Sequence, residues 1–400
     1  MADNRRAALL LAPEAPYPVA GGGAMRTASL IEWLARRYAV DLIVFREPGA
    51  ADPLAALPRG LVRRAAVVPL VPHARHPAAR VWRNAGRFAR GAPPLNDRFS
   101  GYEPALAAAM EEWETDYDLG VVEHFWCAGY APLLRPRCRR LAVDLHNVES
   151  VLHRRYAAAG NPVERVMMSR FARALEGMER KMLPEFDAAL AASGADAETV
   201  SRLAPALPVI VYPNAIPAMP RPDARPEGVL VFSGNLRYHP NRGAVAYFHR
   251  EIWPLLASRN PGLRWRLVGR HPEAVRDLVA RDPRVECTGP VDDAVAEIAR
   301  GRVAVVPLLS GSGTRVKILE AWAAAVPVVS TPVGAEGLEA RAGEEILIAG
   351  TAGDFAALTQ TLLDSEAFAA AVGEAGRRRY EADYTWDAAW RKLDASRLAA

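Results

Sequence analysis

The residues best suited to binding a charged ligand lie in one glycine-rich stretch in the second half of the chain. Gly311 and Gly313 begin a short polar turn that continues into Thr314, and two cations, Arg315 and Lys317, follow it. Glycines let a backbone approach an anion closely, and free N–H groups at a helix start bind phosphate. Cations at that end of a helix oppose its dipole unless an anion is bound there. The turn therefore predicts a phosphate site, with a plain helix start and solvated basic residues as the alternative.

A strand precedes this turn and a helix follows it. Residues 303–307 form a short, mostly β-branched apolar run, which is typical of a buried strand. Residues 316–325 contain neither Gly nor Pro and carry apolar side chains at helical spacing, and residues 327–330 indicate the next strand. A turn at the carboxyl end of a parallel strand opens into the ligand crevice. Glu320, one turn into the helix, could accept hydrogen bonds from a ribose diol.

Segment 311–338, GSGTRVKILEAWAAAVPVVSTPVGAEGL, resembles the donor-binding segment of family 4 glycosyltransferases. That family has the GT-B fold, an α/β architecture of two Rossmann-like, doubly wound domains facing a cleft, and takes a sugar from a nucleotide diphosphate. The usual family pattern has two glutamates separated by seven residues. Glu320 matches the second glutamate, and Ser312 stands at the position of the first. The resemblance implies donor contacts from four residues of this segment: Ser312, Gly313, Thr314 and Glu320.

Composition fits this reading and excludes several others. A chain of 400 residues with 50% apolar and 24% charged residues is typical of two globular domains. A net charge of +4 is too small for a nucleic-acid binder. The three cysteines lack metal-type spacing, so we expect free thiols in a reducing compartment. No signal peptide and no apolar run of membrane-spanning length is evident, so the expected location is cytoplasmic.

The N-terminal residues predict a βαβ unit with a glycine turn. An apolar strand over 6–12 leads through Gly22 and Gly23 into a helix, and a second strand follows over 40–45. The turn suits a diphosphate, but GxGxxG is absent, and a plain flexible turn is an equal alternative on these residues alone. Its position resembles the glycine loop that faces the donor diphosphate in the family, which implies that Gly22 and Gly23 contact the donor.

Two histidines follow consecutive predicted strands in the first half. His124 ends the run LGVVEH, and His146 follows LAVDL. Strand-end polar residues of an α/β domain point into the ligand crevice, so a site is favoured over two structural histidines. Two histidines without a third close ligand do not make a zinc site. The resemblance implies that His124 is the active-site histidine near the reacting carbon.

A basic amphipathic segment spans residues 73–98. Four arginines lie at helical spacing with apolar residues between them: Arg80, Arg83, Arg87 and Arg90. Such a helix could lie on an anionic membrane surface at the inner face of the membrane or receive an anionic acceptor. A solvated helix face is the alternative. A long polar helix is predicted over 154–183.

The loop that opens the second domain lacks two cations that the family carries there. The strand 229–232 leads into Gly234, and the positions of the usual Arg and Lys look like Asn235 and Asn241. We therefore expect the two cations of the other glycine turn, Arg315 and Lys317, to bind the diphosphate. Gly269, which ends another predicted strand, is assigned to the donor site as well.

The resemblance implies a retaining, metal-independent glycosyltransferase that uses a nucleotide-diphosphate sugar as substrate and requires no cofactor. Its acceptor is a saccharide or a lipid-linked molecule. The predicted domains are 1–215, which binds the acceptor, and 227–378, which binds the donor, with a linker at 216–226 and a terminal helix over 379–400 returning to the first domain. Asp292 and Asp293 are interpreted as a helix N-cap and a first-turn acid rather than a metal motif. The alternatives are a nucleotide-binding protein without transferase activity and a nucleotide-sugar epimerase or oxidoreductase.

Overall fold

Two parallel sheets form the framework of the chain in a computed structural model that describes residues 6–19, 21–73, 76–311 and 316–398. The chain divides into two compact units, Met1–Pro213 with Trp390–Ala400, and Asn214–Ala389. The first unit holds seven strands: β1 (Ala7–Ala12), β2 (Ala39–Arg46), β3 (Arg64–Pro69), β4 (Leu119–Glu123), β5 (Leu141–Leu145), β6 (Ala188–Ala191) and β7 (Val209–Val211). Their order in the sheet is β3-β2-β1-β4-β5-β6-β7.

The second unit holds a sheet of six strands with the same parallel pairing. Its strands are β8 (Val229–Ser233), β9 (Arg264–Val268), β10 (Val285–Gly289), β11 (Val303–Val306), β12 (Val328–Ser330) and β13 (Leu347–Ile348). They are arranged β10-β9-β8-β11-β12-β13. This pair of doubly wound sheets confirms the predicted fold class.

Helices connect the strands, as parallel pairing requires. In the first unit and the segment that returns to it, the helices are α1 (Gly22–Ala35), α2 (Pro77–Arg90), α3 (Pro94–Arg98), α4 (Glu103–Trp113), α5 (Ala131–Leu134), α6 (Glu149–Ala159), α7 (Pro162–Met182), α8 (Gly194–Leu203) and, last in the chain, α17 (Trp386–Asp394). In the second unit they are α9 (His239–Tyr247), α10 (Trp253–Arg259), α11 (Arg276–Val279), α12 (Ala294–Ile298), α13 (Val316–Ala323), α14 (Pro332–Ala335), α15 (Ala352–Asp364) and α16 (Glu366–Asp383). None of the described helices is both long and apolar enough to cross a bilayer.

Each sheet reverses its winding direction at one point, and the predicted site residues follow the strands that meet there. In the first sheet β1 pairs with β2 on one side and with β4 on the other, and β1 and β4 lead into α1 and His124. In the second sheet β8 lies between β9 and β11, and β8 leads into Gly234. Ligands of open α/β sheets bind outside the carboxyl ends of strands at such a point.

The prediction of one long helix over 154–183 is wrong, because the chain forms two helices, α6 and α7, in that region. Asn161 caps α7 by accepting hydrogen bonds from the N–H groups of Val163 and Glu164. The Glu164 carboxylate accepts the N–H of Asn161 in return, at 3.0 Å. This capping box, with Pro162 at the first helical position, starts a new helix and separates it from α6.

The predicted linker and part of the predicted terminal helix belong to the second unit. Residues 214–226 and 379–389 both fall within Asn214–Ala389. Hydrogen bonds hold the two segments together: Ile216 N–H donates to the Tyr384 carbonyl, and Trp386 N–H donates to the Ile216 carbonyl. The Tyr380 hydroxyl donates to the Pro217 carbonyl at 2.7 Å. The start of the proline-rich run is therefore fixed to helix α16 rather than acting as an independent linker.

The predicted basic face of α2 is only partly available to a membrane. Arg87 is 6% exposed, and its Nε donates to Asp97 at 2.7 Å. The same helix instead exposes two apolar side chains, Val81 at 66% and Trp82 at 78%. Arg87 therefore belongs to the packed side of the helix, because its partner Asp97 on α3 draws it inward.

Candidate functional site

A buried ion pair lies at the carboxyl end of the first sheet. The Arg26 guanidinium on α1 donates from Nε to both carboxylate oxygens of Asp144 on β5, at 3.0 and 2.8 Å. Both side chains are fully buried. Burial alone would raise the pKa of Asp144, but Arg26 and then His146 hold it well below its usual value. Asp144 is therefore ionised, and it fixes α1 against β5.

His124 is held between two aromatic rings directly after β4. Its ring centroid lies 4.0 Å from that of Trp126, nearly parallel, and 3.6 Å from that of His146. Its backbone has φ of 59°, and its N–H donates to the Asp144 carbonyl at 2.9 Å. Burial, and next the neighbouring His146, lower the pKa of His124 well below its usual value. The structure therefore presents a neutral imidazole in a fixed orientation.

His146 lies on the other side of His124 and close to Asp144. Its Nε2 is 3.4 Å from Asp144 Oδ2, which is an ion-pair distance without hydrogen-bond geometry. Burial lowers the pKa of His146, although Asp144 acts in the opposite direction. The two histidines predicted from consecutive strands thus lie in direct contact, as strand-end residues of neighbouring strands should.

A second buried acid, Glu123, completes this cluster. The Thr27 hydroxyl donates to Glu123 Oε2 at 2.6 Å. Burial and the nearby Asp144 raise the pKa of Glu123 well above its usual value, which favours the protonated form. Ligand atoms of Glu123, Asp144 and His146 lie within 4.8 Å of one another, as in a metal site. Arg26 already neutralises Asp144, however, and its buried positive charge would oppose a divalent ion.

The glycine turn at the start of α1 lies beside the same cluster. Gly21 is the N-cap residue and, as a glycine, provides no side-chain hydrogen bond to the first N–H groups of α1. A β-carbon on Gly23 would lie 3.9 Å from the Nδ1 atom of His146. Gly22 is the first residue of the helix. The structure thus brings the predicted glycine turn and the predicted histidines together within the first unit.

In the second unit, two glycines allow the ends of adjacent strands to pack closely. Gly234 and Gly269, which follow β8 and β9, have φ of 139° and 136°. A β-carbon on Gly269 would lie 2.1 Å from the carbonyl oxygen of Gly234. Any side chain at Gly269 would therefore displace the loop after β8, so packing alone requires a glycine there.

The side chain of Lys317 reaches the loop after β8 from helix α13. Its ammonium group donates to Asn241 Oδ1 at 2.6 Å and lies 4.4 Å from the ring centroid of Phe232. Asn241 is 6% exposed and donates from Nδ2 to the Asn235 carbonyl at 2.8 Å. A β-carbon on Gly234 would lie 3.1 Å from the Lys317 nitrogen. A cation therefore lies at Asn241, although neither Asn235 nor Asn241 supplies one.

Glu320 lies one turn beyond Lys317 and contacts the end of β8. The Ser233 hydroxyl donates to Glu320 Oε2 at 3.1 Å. Burial raises the pKa of Glu320, whereas the Ser233 hydrogen bond and the Lys317 charge lower it. Ser312, Gly313, Thr314 and Arg315 lie outside the described residues. The Asp293 side chain accepts the N–H of Ala296 at 2.9 Å and is the N-cap of α12, whereas Asp292 precedes the helix and is not a first-turn acid.

Sequence reasoning missed Arg26, Glu123, Asp144 and Trp126. Both acids interrupt strands that are otherwise apolar, LGVVE and LAVDL. A charged residue on a buried strand requires a partner, and this requirement could have directed attention to an arginine on a facing helix. The stacking of Trp126 on His124 has no comparable sequence signal, because it depends on the turn after β4.

Comparison with known proteins supports a glycosyltransferase assignment for the second unit. Residues 227–365 match the family model described as "Glycosyl transferases group 1". A curated relative from Klebsiella pneumoniae, "Uncharacterized 44.6 kDa protein in cps region", is 25% identical over 128 residues, which are 30% of this chain. The match spans about a third of the length of that relative, 33%.

Solved structures match over nearly the whole chain. Sucrose-phosphate synthase from Thermosynechococcus elongatus superposes with a TM-score of 0.72 at 19% identity, covering 97% of each chain. HepE from Anabaena, in complex with UDP and glucose, gives 0.64 at 14% identity over 97% of this chain and 98% of that one. A TarM mutant from S. aureus, in complex with fondaparinux, alpha-GlcNAc-glycerol and UDP, gives 0.66 at 10% identity, with 97% and 99% covered. The chain therefore has the GT-B fold, and its residues 227–365 match the group 1 glycosyltransferase model.

Proposed function

We propose that the protein is a retaining, metal-independent glycosyltransferase that moves a sugar from a nucleoside diphosphate to a saccharide or lipid-linked acceptor. Polysaccharide or glycoconjugate biosynthesis is the proposed setting, in the cytoplasm. The contact of Lys317 with Asn241 carries the proposal, because it places a cation at the end of β8 in the matched domain. Similar structures contain UDP with glucose and UDP-2-fluoro glucose, which supports a UDP-sugar as the first donor to test.

The second unit is proposed to bind the donor. A diphosphate removed from water needs compensating charge, because an unpaired buried anion is costly. Lys317 supplies one positive charge at the end of β8, and Arg315 in the same turn is proposed to supply another. Ser312, Gly313 and Thr314 are proposed to contact the donor through the glycine turn. Glu320, held by Ser233, is proposed to accept the ribose hydroxyls.

The proposed reaction breaks the bond between the anomeric carbon and the phosphate oxygen of the donor. Negative charge then develops on the leaving diphosphate, and a fixed cation lowers the barrier because it interacts more strongly with the transition state than with the donor. An acceptor hydroxyl forms the new bond on the same face of the sugar. The acceptor hydroxyl passes its proton to the departing phosphate oxygen, so the products are the glycoside and the protonated nucleoside diphosphate, and no redox partner is needed.

His124 is proposed to orient the transferred sugar from the first unit. As a neutral imidazole it can accept a hydrogen bond from a sugar hydroxyl at one nitrogen and donate one from the other. The Nδ1 atom of His124 has no hydrogen-bond partner among the described residues. The two flanking rings fix the orientation of this nitrogen, so the imidazole needs little reorganisation when a sugar binds.

A contact with an anionic membrane surface is proposed only through the exposed side of α2. Trp82, Val81 and Arg80 are exposed there, and an aromatic residue beside a cation suits an interfacial position. Arg87 is excluded from this surface because it is buried.

A thermal-shift screen of UDP-, GDP- and dTDP-sugars tests the proposed function. A donor at 100 times its dissociation constant should stabilise the fold by roughly 2.7 kcal/mol. The sugar of the best donor should then be transferred to an acceptor, or slowly to water, with retention of its anomeric configuration, which NMR of the product measures. Absence of stabilisation and of turnover with every donor would contradict the proposal, as would a product of inverted configuration.

A further inference from the structure

Helix α2 carries two arginines with buried nitrogens that have no hydrogen-bond partner among the described residues. Arg83 and Arg87 are one turn apart, so they lie on the same side of the helix. Arg87 is 6% exposed, and its Nε is used by Asp97. The Nη2 atom of Arg87 and the Nε atom of Arg83 are buried and have no hydrogen-bond partner among the described residues. Buried N–H groups of a guanidinium are costly to leave unpaired.

Positive charge exceeds negative charge around these two side chains. Asp97 is shared, since Arg90 also lies 3.5 Å from it. The Arg98 side chain contacts Glu47 at 3.0 Å and the Val71 carbonyl at 2.6 Å. Among the described residues of this cluster, Arg87, Arg90 and Arg98 therefore share two carboxylates, and Arg83 adds a fourth positive charge with no ion pair. Water could satisfy the open N–H groups, but it would leave the excess charge uncompensated.

The cluster lies at the carboxyl end of the first sheet, because Arg98 donates to the carbonyl of Val71, which follows β3. Burial lowers the pKa of His73 in the same segment, and the positive charges of Arg98, Arg83 and Arg87 lower it further. In an open α/β sheet this edge is where ligands bind.

A continuous set of contacts joins the arginine cluster to His124. The Asn96 side chain on α3 donates to the Phe125 carbonyl at 3.3 Å. The Phe99 ring, just after α3, stacks on Trp126 at 5.8 Å, and Trp126 stacks on His124 at 4.0 Å. The cluster and the proposed sugar-orienting histidine thus belong to one packed region of the first unit.

We propose that Arg83 and Arg87 form a subsite for a phosphate group carried by the acceptor, an assignment that rests on the transferase function proposed above. An excess of two positive charges matches a phosphate monoester, which carries close to two negative charges at neutral pH. Arginine also suits this ligand because its planar N–H groups can contact two phosphate oxygens. The phosphate belongs either to a soluble phosphorylated saccharide or to a lipid headgroup.

Titration of the full-length protein with inorganic phosphate, in the presence of saturating UDP, tests the subsite. The main variant is Arg83→Gln, since the described residues give this side chain no ion pair to lose. Arg59→Gln, at an exposed arginine of the first unit outside helix α2, is the control for the loss of one positive charge. Arg83→Gln should weaken phosphate binding about tenfold, the size of one charge-assisted hydrogen bond, and Arg59→Gln should leave it unchanged. Arg87→Lys, which keeps the positive charge but not the planar set of N–H donors, should weaken phosphate binding as well.

Equal phosphate affinity in Arg83→Gln and Arg59→Gln would overturn the proposal, because it would show that phosphate is attracted only by the overall positive charge. Vesicles with and without phosphatidic acid distinguish the two sources of phosphate. If Arg83→Gln no longer binds the vesicles that contain phosphatidic acid, the phosphate belongs to a lipid. If the variant still binds these vesicles but has lost affinity for inorganic phosphate, the phosphate belongs to a soluble acceptor. UDP affinity is measured in each variant. If UDP fails to bind the wild type, the proposed function fails, while the comparison of the two variants still decides the subsite.

Discussion

The ammonium group of Lys317 and the side-chain oxygen of Asn241 lie 2.6 Å apart at the end of strand β8. The family resemblance predicts cations at positions 235 and 241, and asparagines occupy both of them here. The cation instead extends from helix α13, and Asn241 fixes its position. A cation thus lies beside Asn241, although neither position 235 nor position 241 supplies it.

The Arg26–Asp144 pair should dominate the stability of the first unit. Asp144→Asn leaves a fully buried guanidinium without its counter-charge, which should cost about 3 to 5 kcal/mol. Urea unfolding measures this difference. Glu273→Gln, which breaks an exposed pair with Arg237, is the control and should leave the midpoint unchanged. Similar midpoints for the two variants would show that Arg26 finds another partner.

Glu149 should make the stability fall as pH rises towards neutrality. Burial raises its pKa from 4.5 to about 7, while the hydrogen bond from Trp126 lowers it and Glu179 raises it. Between these values the folded state holds a proton that the unfolded state has released. The free energy of unfolding should therefore decline with increasing pH, by up to about 3 kcal/mol across that window.

Glu149→Gln tests this pH dependence because an amide still accepts the Trp126 N–H but cannot ionise. The variant should lose less stability than the wild type between pH 5 and pH 8. Thermal unfolding of both proteins at several pH values provides the measurement. Parallel stability curves would mean that Glu149 keeps an ordinary pKa in the folded protein.

His124 should matter for turnover and hardly at all for donor affinity. His124→Asn is the preferred variant, because asparagine tolerates the positive φ of 59° better than alanine. Loss of the imidazole should reduce the turnover number by about 100-fold or more, since about 100-fold is the lower end of the rate enhancement that one positioned side chain contributes. The dissociation constant of the nucleotide, measured separately by calorimetry, should stay within twofold. Near-normal turnover would remove His124 from the site.

Activity should persist without divalent metal. The proposed leaving group is stabilised by protein cations, and Arg26 opposes a metal at the buried acids of the first unit. Turnover should therefore be unchanged within error after treatment with EDTA. Activity that disappears with EDTA and returns with manganese would refute this prediction.

Most of the fold could be predicted from local sequence, because strands such as β1, β8 and β11 are continuous apolar runs buried on both faces. The break between α6 and α7 was also encoded, in Asn161, Pro162 and Glu164, although helical periodicity on both sides concealed it. The burial of Arg87 could not be predicted, because its partner Asp97 lies on a separate short helix.

The candidate site was only partly predictable for the same reason. His124 and His146 could be placed because each follows a strand of known direction. The contact between Lys317 and Asn241 joins positions far apart in sequence, and side-chain reach across two elements has no local pattern. Arg315 lies outside the described residues, and its role beside Lys317 stays a prediction.

The most direct test is calorimetric titration of wild type and Lys317→Ala with the nucleoside diphosphate chosen by the donor screen, and with its nucleoside. Lys181→Ala, which removes an exposed lysine from the first unit, controls for the change in charge. Lys317→Ala should weaken binding of the diphosphate by about 1.5 to 3 kcal/mol, the range for a hydrogen bond to a charged group, and leave nucleoside binding unchanged. If Lys317→Ala binds the diphosphate as tightly as Lys181→Ala does, the cation at the end of β8 does not bind the donor and the account is wrong.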